Sequence, residues 1–577
     1  MGGIIEFLAD PGFLVWPPLL FLVGNAVIFI LSTLRPKAFP PGPRGFPAFG
    51  NLYQIDRAFP FLTYTSWAKR YGKDTPLGIK KGSTNQVVLN SGQLVRELVE
   101  KRGAIYSDRP WQFMNNTWVF VNGLRPIAIF NNYSSWLTKW RKEFNNSFGS
   151  AAVARLRPVY EAESARLLVK LIENPTARGM DMEAILACWM ISVPCLGACG
   201  RRPDTLGDYG FSIRQFRDIS DEYAALVAPN AMDLFPVLRY LPEFFGMAEW
   251  KNKARTVREK VLETGTKFVG AAREQRAALD AGKPIVWESV VAKMLKEQHE
   301  KNDNTFSLVD MGNAAFHIVS AATNTSSATM TIILMTLAKY PDIQEKVVNE
   351  VLKVSGGAIP KAIDIPNMKY MDAFWNEVKL LSHSFTSRKL ILCFQIHRWR
   401  PVAPQAVPHA TSRDDTYDGH RIAKGTTVII NVWSIHHSED DYESPEVFNP
   451  DRFLAHPFGM RLDKAHDPVQ MEASGSRVTY DFGAGRRICP GMHSAKQSLL
   501  LGLAKILWAF EVLPPEGKEI DMDLKTAFVQ KVALHPKDFD VVLKLRAGRR
   551  KEEIVEHYEQ MYEGEAEVMG WEDGLYK

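Results

Sequence analysis

A mainly helical chain with a small β region, preceded by one N-terminal membrane helix, is the fold class this sequence predicts. Three observations lead there. Residues 12–34 carry no charge and are mostly apolar. Through the first two thirds, long segments read mainly as helices, while short β-rich runs bounded by turn residues come later. Composition bounds the rest. With 577 residues, 46% hydrophobic and 23% charged, the chain has ordinary globular proportions and ample material for a large core. The net charge of +5 is spread along the chain, which does not indicate nucleic acid but leaves room for a basic patch facing an acidic protein. The cysteines (Cys188, Cys195, Cys199, Cys393, Cys489) are few and odd in number, which argues against a disulfide framework and fits a reducing compartment.

Taken in order, "GFLVWPPLLFLVGNAVIFILSTL" (12–34) is long enough to span a bilayer. Glu6 and Asp10 precede it and Arg35 and Lys37 follow, so the remainder is expected on the cytosolic side. A cleaved signal peptide is the competing reading, but a basic leader and a small-x-small site are both missing. Pro17 and Pro18 are expected to kink the helix or delay its start. The Pro- and Gly-rich stretch 35–51 predicts a stiff, extended hinge. Residues 52–548 then show no second linker and no repeat, and are expected to form one domain. Helices are expected over 157–173, 252–278 and from about Ser307 to Tyr340. The last has a capping-box-like start at Ser307 and Asp310 and is closed by Pro341. "TYDGHRI" and "GTTVIINVW" predict a hairpin turning near Asp418–Gly419. The charged tail, 549–577, predicts a peripheral helix or disorder.

The chemistry sits in "FGAGRRICPG", residues 482–491. It matches Phe-x-x-Gly-x-Arg-x-Cys-x-Gly at Phe482, Gly485, Arg487, Cys489 and Gly491, a coincidence expected in about 10⁻⁴ of chains this long from ordinary residue frequencies. The alternative is a buried structural cysteine in a Gly-rich turn. The segment resembles the haem-binding loop of the cytochrome P-450 (haem-thiolate monooxygenase) family, and its detail is most similar to fungal microsomal members. The resemblance covers about residues 36–548 and implies the family's fold, with haem b between the long helix and this loop. It makes Cys489 the axial thiolate ligand of the iron. Arg487 would pair with a propionate, Phe482 would shield the sulfur, and Gly485 and Gly491 would let the backbone approach the porphyrin and the next helix.

Other segments extend the resemblance. "AATNTS" (321–326) is similar to the central-helix motif, with Thr325 at the oxygen-activating position. Ala322 replaces a Gly there and Asn324 replaces an acid, and an amide cannot deliver a proton as a carboxylic acid can. "YSSWLTKWR" resembles the family's Trp-x-x-x-Arg helix, but Trp136 to Arg141 is one residue too long. Arg141 is therefore either a propionate ligand or a solvated helix charge. His409 occupies a position where the family often has a propionate-binding Arg or His. "FNPDRF" resembles the Pro-Glu-Arg-Phe segment and would bring Arg452 into a buried Glu-Arg-Arg network.

That network exposes an anomaly. The family needs Glu-x-x-Arg on one helix, because i and i+3 share a face. Here Glu377 is followed by "VKLLSHSFTSRKLILCFQ", with three basic residues, no acid and nine apolar ones. Removing Val378–Gln395 joins Glu377 to Ile-His-Arg and restores the pattern with Arg398. The removed piece corresponds to an in-frame segment whose Val codon begins with GT and whose Gln codon can end in AG, as a short fungal intron does. A retained intron is the expectation; a genuine loop insertion and an alternatively spliced form are the alternatives.

The function implied is monooxygenation, RH + O₂ + two electrons + two protons giving ROH + water, on a small organic substrate of secondary metabolism or xenobiotic breakdown. No Gly-x-Gly-x-x-Gly and no following flavin domain are seen. Electrons are therefore expected from a separate NADPH-cytochrome P-450 reductase at the endoplasmic reticulum membrane. Lys139, Lys142, Arg486 and Lys496 are candidates for its docking face or else solvated charges. A reductase-independent isomerase or dehydratase, and an inactive form unable to hold haem, are the other readings.

Overall fold

The computed structural model describes residues 11–121, 124–228, 230–240, 246–368, 394–464, 467–531, 533–537 and 540–569. Helix α1 (Pro11–Thr33) starts ahead of Pro17 and Pro18, so its start is not delayed by them. Its side chains Leu20, Val23, Ile28 and Leu31 are exposed. The hinge that follows is non-helical, as expected, but it is not a free spacer. Arg35 donates to the Pro43 and Gly78 carbonyls, and the Ala48 N–H donates to Thr33. A Cβ at Gly42 would lie 2.1 Å from the Gly78 oxygen, so the hinge backbone lies directly on the first strand.

That strand, β1 (Leu77–Lys81), pairs antiparallel with β2 (Thr84–Leu89). The sheet is completed by β3 (His409–Ala410) and β6 (Thr427–Ile430), in the order β1-β2-β6-β3. The expected hairpin is shorter than its sequence signal. β4 (Asp415–Tyr417) pairs with β5 (His420–Ile422) around Asp418 and Gly419, both at positive φ. The apolar run after it instead forms β6, buried along its whole length and parallel to β2. Burial on both faces selects the central position.

The helical body follows the sequence closely. α2 (Ser135–Phe148) carries Arg141, and α3 (Arg157–Glu173) coincides with expectation. α4 (Met180–Cys199) and α5 (Met247–Asp280) flank the central helix α6 (Leu308–Lys339). At its N-terminus Ser307 and Asp310 form a full capping box, with N–H to side-chain distances of 3.1 and 2.9 Å. Gly265 and Gly312 let α5 and α6 cross closely; a Cβ on either would meet the other backbone at about 3 Å. α7 (Phe394–Trp399) ends the interrupted segment, and α8 (Met492–Ala509) leaves the cysteine loop.

The tail departs from expectation. α9 (Lys551–Met569) packs on α3 and buries Ile554, Tyr562 and Met569. Arg202, fully buried, binds Glu163 at 2.6 Å and also Glu565 of α9. Burial beside Glu163 pushes the Glu565 carboxyl well up. The helix is part of the core because its acidic face has a buried partner from a distant segment.

Candidate active site

The cysteine loop is a tight hairpin closed by the Cys489 N–H donating to the Phe482 carbonyl at 2.9 Å. Gly483 and Gly485 take positive φ (72° and 59°), where a side chain would be strained. The neighbour that demands glycine at 485 is the Val99 carbonyl, whose oxygen lies 2.5 Å from where a Cβ would stand, rather than a ligand surface. At Gly491 a Cβ would make only ordinary contacts with Phe144 and the Cys489 Sγ. Cys489 lies just before the N-terminus of α8. Burial pushes its thiol up, opposed by the N–H groups of Gly491 and Met492 and by the Arg141 charge. A metal that binds here must therefore displace a proton.

Beside the loop the chain gathers basic groups. Arg141 donates to the Ile488 carbonyl at 2.6 Å. Arg487 donates to the Ser107 carbonyl at 2.8 Å and to that of Asn131. His409 binds the Tyr106 carbonyl through Nδ1 at 2.7 Å. Arg109, which no sequence motif marked, donates to the carbonyls of Ile129, Val407 and Pro408 at 2.7–3.0 Å. Burial depresses all four, and neighbouring cations depress Arg109, Arg487 and His409 further. Arg109 is lowered well below its usual range by burial and then by Arg487 and Arg141. Arg487 is lowered to about 10 and His409 to about 3. Next to Arg141 the indole N–H of Trp140 is buried with no partner among the described residues. Buried cations are normally matched by anions, and here the one opposing carboxylate acting on Arg487 is Asp108. The donor set thus fits a bound group carrying carboxylates, as haem does with its two propionates. Because a carbonyl only accepts, His409 must hold its proton on Nδ1. Its Nε2 can donate to such a carboxylate only when charged, a state the carboxylate itself favours.

Across from this cluster runs α6. From Asp310 to Ala338 every residue is buried except His317, Ser320, Ala321, Ala322, Asn324 and Thr325. These positions fall at i, i+3, i+4, i+7 spacing, so one stripe of a core helix faces open space. Arg141 links the two walls, acting electrostatically on Cys489 and on His317. The Thr325 hydroxyl donates back to the Ala321 carbonyl at 2.9 Å, leaving its oxygen free to accept.

Behind the loop lies a second set of groups that no motif signalled. Asp481 pairs with His397 of α7 at 2.6 Å and accepts the Ala403 N–H at 2.8 Å. His436 bridges the His397 carbonyl and the Tyr480 N–H. These bonds tie the cysteine loop to the α7 segment, while Phe482 packs on the His397 ring at 5.1 Å. Arg398 is fully buried and donates to the carbonyls of His436 and Pro445. Burial and the Arg452 charge lower it to about 9. Arg452 donates to the carbonyls of Glu443, Ser444, Val447 and Asn449. The two arginines are thus neighbours, whereas Glu377 lies outside the described residues. Of the proposed docking charges, Lys139 is committed to Asp303 and Thr305, so it is a structural ion pair and not a free docking charge. Lys142 and Arg486 are exposed, and Lys496 is half-buried.

Known proteins share this sequence over most of its length. The profile of the family described as Cytochrome P450 matches residues 40–383 and 396–543. The chain is 67% identical over 577 residues to cytochrome P450 monooxygenase grgG of Penicillium sp, covering all of both chains. It is 30% identical to cytochrome P450 monooxygenase fogE of Aspergillus ruber over 497 residues (84% of this chain, 83% of that one). To patI of Aspergillus clavatus, also a cytochrome P450 monooxygenase, it is 28% identical over 550 residues (93% and 96%).

Proposed function

The chain belongs to the cytochrome P450 family and is a monooxygenase; on that premise we propose the details of its reaction. It inserts one atom of O₂ into a small, largely apolar substrate of fungal secondary metabolism or xenobiotic breakdown. Electrons come from NADPH through a separate membrane-bound reductase. The observation that carries the reading is Cys489 beside three buried basic groups, Arg109, Arg487 and His409, and the half-buried Arg141, with too few carboxylates to match them. Haem b, when bound, supplies oxygen activation, favoured by electron density from the thiolate. The chain's own part is to hold the thiolate at the start of α8 and to neutralise two carboxylates with Arg487, Arg141, Arg109 and His409. Thr325, whose hydroxyl oxygen is free to accept, would hold the oxygen-activating position, and Asn324 beside it cannot itself release a proton.

Cys489→Ser tests this directly. The native protein should show the thiolate signature of the reduced carbon monoxide complex, and the variant should lose it while keeping most of its far-ultraviolet circular dichroism. Survival of the signature in the variant would sink the assignment of the ligand.

Two further parts belong to the same reading. α1 anchors the enzyme in the endoplasmic reticulum membrane with the body cytosolic; its exposed apolar side chains support this. Exposed Phe46, Tyr53, Val237 and Tyr240 add apolar surface, and Phe235 packs on both Phe29 of α1 and Phe49 of the hinge. We propose that residues 378–395 are absent from the mature enzyme; what supports this is that the family match skips 384–395 within that segment, although it includes 378–383.

A further inference from the structure

The family reading leaves one side chain of the α6 stripe without a task. His317 lies one turn before Ala321 and two before Asn324, on the accessible face of a helix otherwise buried from Asp310 to Ala338. Its ring stacks on Trp140 with centroids 5.3 Å apart and planes 21° from parallel. Nδ1 is occluded and has no hydrogen-bond partner among the described residues. Trp140 itself belongs to a buried apolar cluster that also holds Phe144, Phe216 and Phe316.

A polar ring kept in such surroundings needs a reason. Burial, then the Arg141 and Arg109 charges, lower His317 to about 4, so the imidazole is neutral at working pH. A neutral imidazole carries one N–H, and its placement follows from Nδ1. An occluded N–H without a partner is rarer and costlier than an occluded lone pair. The proton therefore sits on Nε2, the atom left for the accessible side, and the ring is a donor toward the stripe.

We propose that His317 is a substrate-binding residue that donates one hydrogen bond from Nε2 to a carbonyl or hydroxyl oxygen of an otherwise apolar substrate lying along α6. The proposal rests on the monooxygenase reading and adds to it the class of substrate: a mainly apolar skeleton with an oxygen already installed about two helical turns from Asn324. The π-stack on Trp140 fixes the ring plane, so the donor has one direction, and that direction selects which carbon comes to the reacting centre. Such a substrate must be supplied by an enzyme that leaves a carbonyl or hydroxyl on the skeleton.

Spectral titration of the haem-loaded full chain, and of His317→Phe and His317→Gln, provides the test. The probes are alkyl aryl ketones paired with hydrocarbons bearing CH₂ in place of the carbonyl. On His317→Phe, which keeps the stack, the ketone-over-hydrocarbon affinity ratio should fall about tenfold, the worth of one hydrogen bond. His317→Gln, which retains an N–H donor, should keep part of the ratio. A ratio unchanged in His317→Phe overturns the proposal, as does failure of both probe types to bind the native protein. Reduced haem content in His317→Phe with the ratio intact also overturns it, since the ring would then serve the cofactor. The carbon monoxide spectrum is recorded first. Its absence in the native chain would defeat the cofactor reading instead, which keeps the two failures apart.

Discussion

Arg109, Arg141, Arg487 and His409 each spend donors on backbone carbonyls, yet the carbonyls carry no charge to offset theirs. A site of this kind is held ready for anions by the fold around it, and its members are stabilised when the anions arrive. At the same scale, Asn324 occupies the stripe where the family motif has an acid, and the neighbouring Thr325 hydroxyl is turned back on Ala321. Asn324→Asp is expected to raise the fraction of electrons that end in product, measured as product formed per NADPH consumed with added reductase. An unchanged or lower fraction would mean that proton delivery follows another route to which the amide is suited.

Among the elements, α7 is the one that ties the buried Arg398 to the segment carrying the cysteine loop. Arg398 in its last turn is buried beside Arg452, and His397 next to it holds Asp481 of the cysteine loop. If Glu377 pairs with these cations, as the Glu-x-x-Arg pattern implies, the extra segment between it and Arg398 would keep its carboxylate away. Leaving a buried charge unmatched costs about 3–5 kcal/mol, a large part of a typical folding margin of about 5–15 kcal/mol. The chain lacking Val378–Gln395 should therefore take up haem stoichiometrically and the full-length chain poorly, as read from the haem-to-protein absorbance ratio. If the mature transcript keeps the segment and the full-length protein binds haem and turns over, the retained-intron account is wrong. α1 offers a second test at this scale. Removing residues 1–34 should shift the protein from the membrane fraction to the wash and leave haem content unchanged. Because Arg35 and the hinge pack on β1, the cut must fall before Arg35 to spare those contacts. Retention of the truncated form in membranes would assign the attachment to the apolar surface around Val237 and Tyr240.

For the molecule as a whole, histidines that the fold holds neutral set the acid limit. His436 is lowered to about 3, and His317 and His535 to about 4, in each case mainly by burial. In the unfolded chain each titrates near 6.5. Above that pH they are neutral in both states and stability is unaffected. As pH falls below it the unfolded chain takes up protons that the folded chain refuses, and stability is lost down to the folded values near 3–4. At pH 5 the loss is on the order of 2 kcal/mol per histidine. Urea midpoints at pH 7.5 and 5.0 should show this drop, and His436→Gln should reduce it. An equal drop in that variant would place the acid sensitivity elsewhere.

Local pattern was enough to determine the mainly helical class, the capped central helix, the 157–173 helix and the cysteine loop. A capping box, a helical period and a hairpin with an obligatory glycine are all written within a few neighbouring residues. It also brought out Arg487, His409, Thr325 and Arg398 as candidates, through motifs of short span. Tertiary structure alone decided the rest. Arg109 has no telling spacing, and it joins the site because three distant carbonyls from two loops converge on it. The tail helix entered the core because Arg202, some 360 positions earlier in the chain, offers Glu565 a buried partner. The apolar run at 427–430 became a parallel neighbour of β2 rather than the arm of a hairpin, since only a two-sided burial site accepts an uninterrupted apolar strand. His317 could not be told from any other helix residue until one stripe of α6 was seen to lie open. What a residue touches across the fold depends on loop closures whose partners have no local mark in the chain, and burial, which sets the charge state of these groups, exists only once those closures are made.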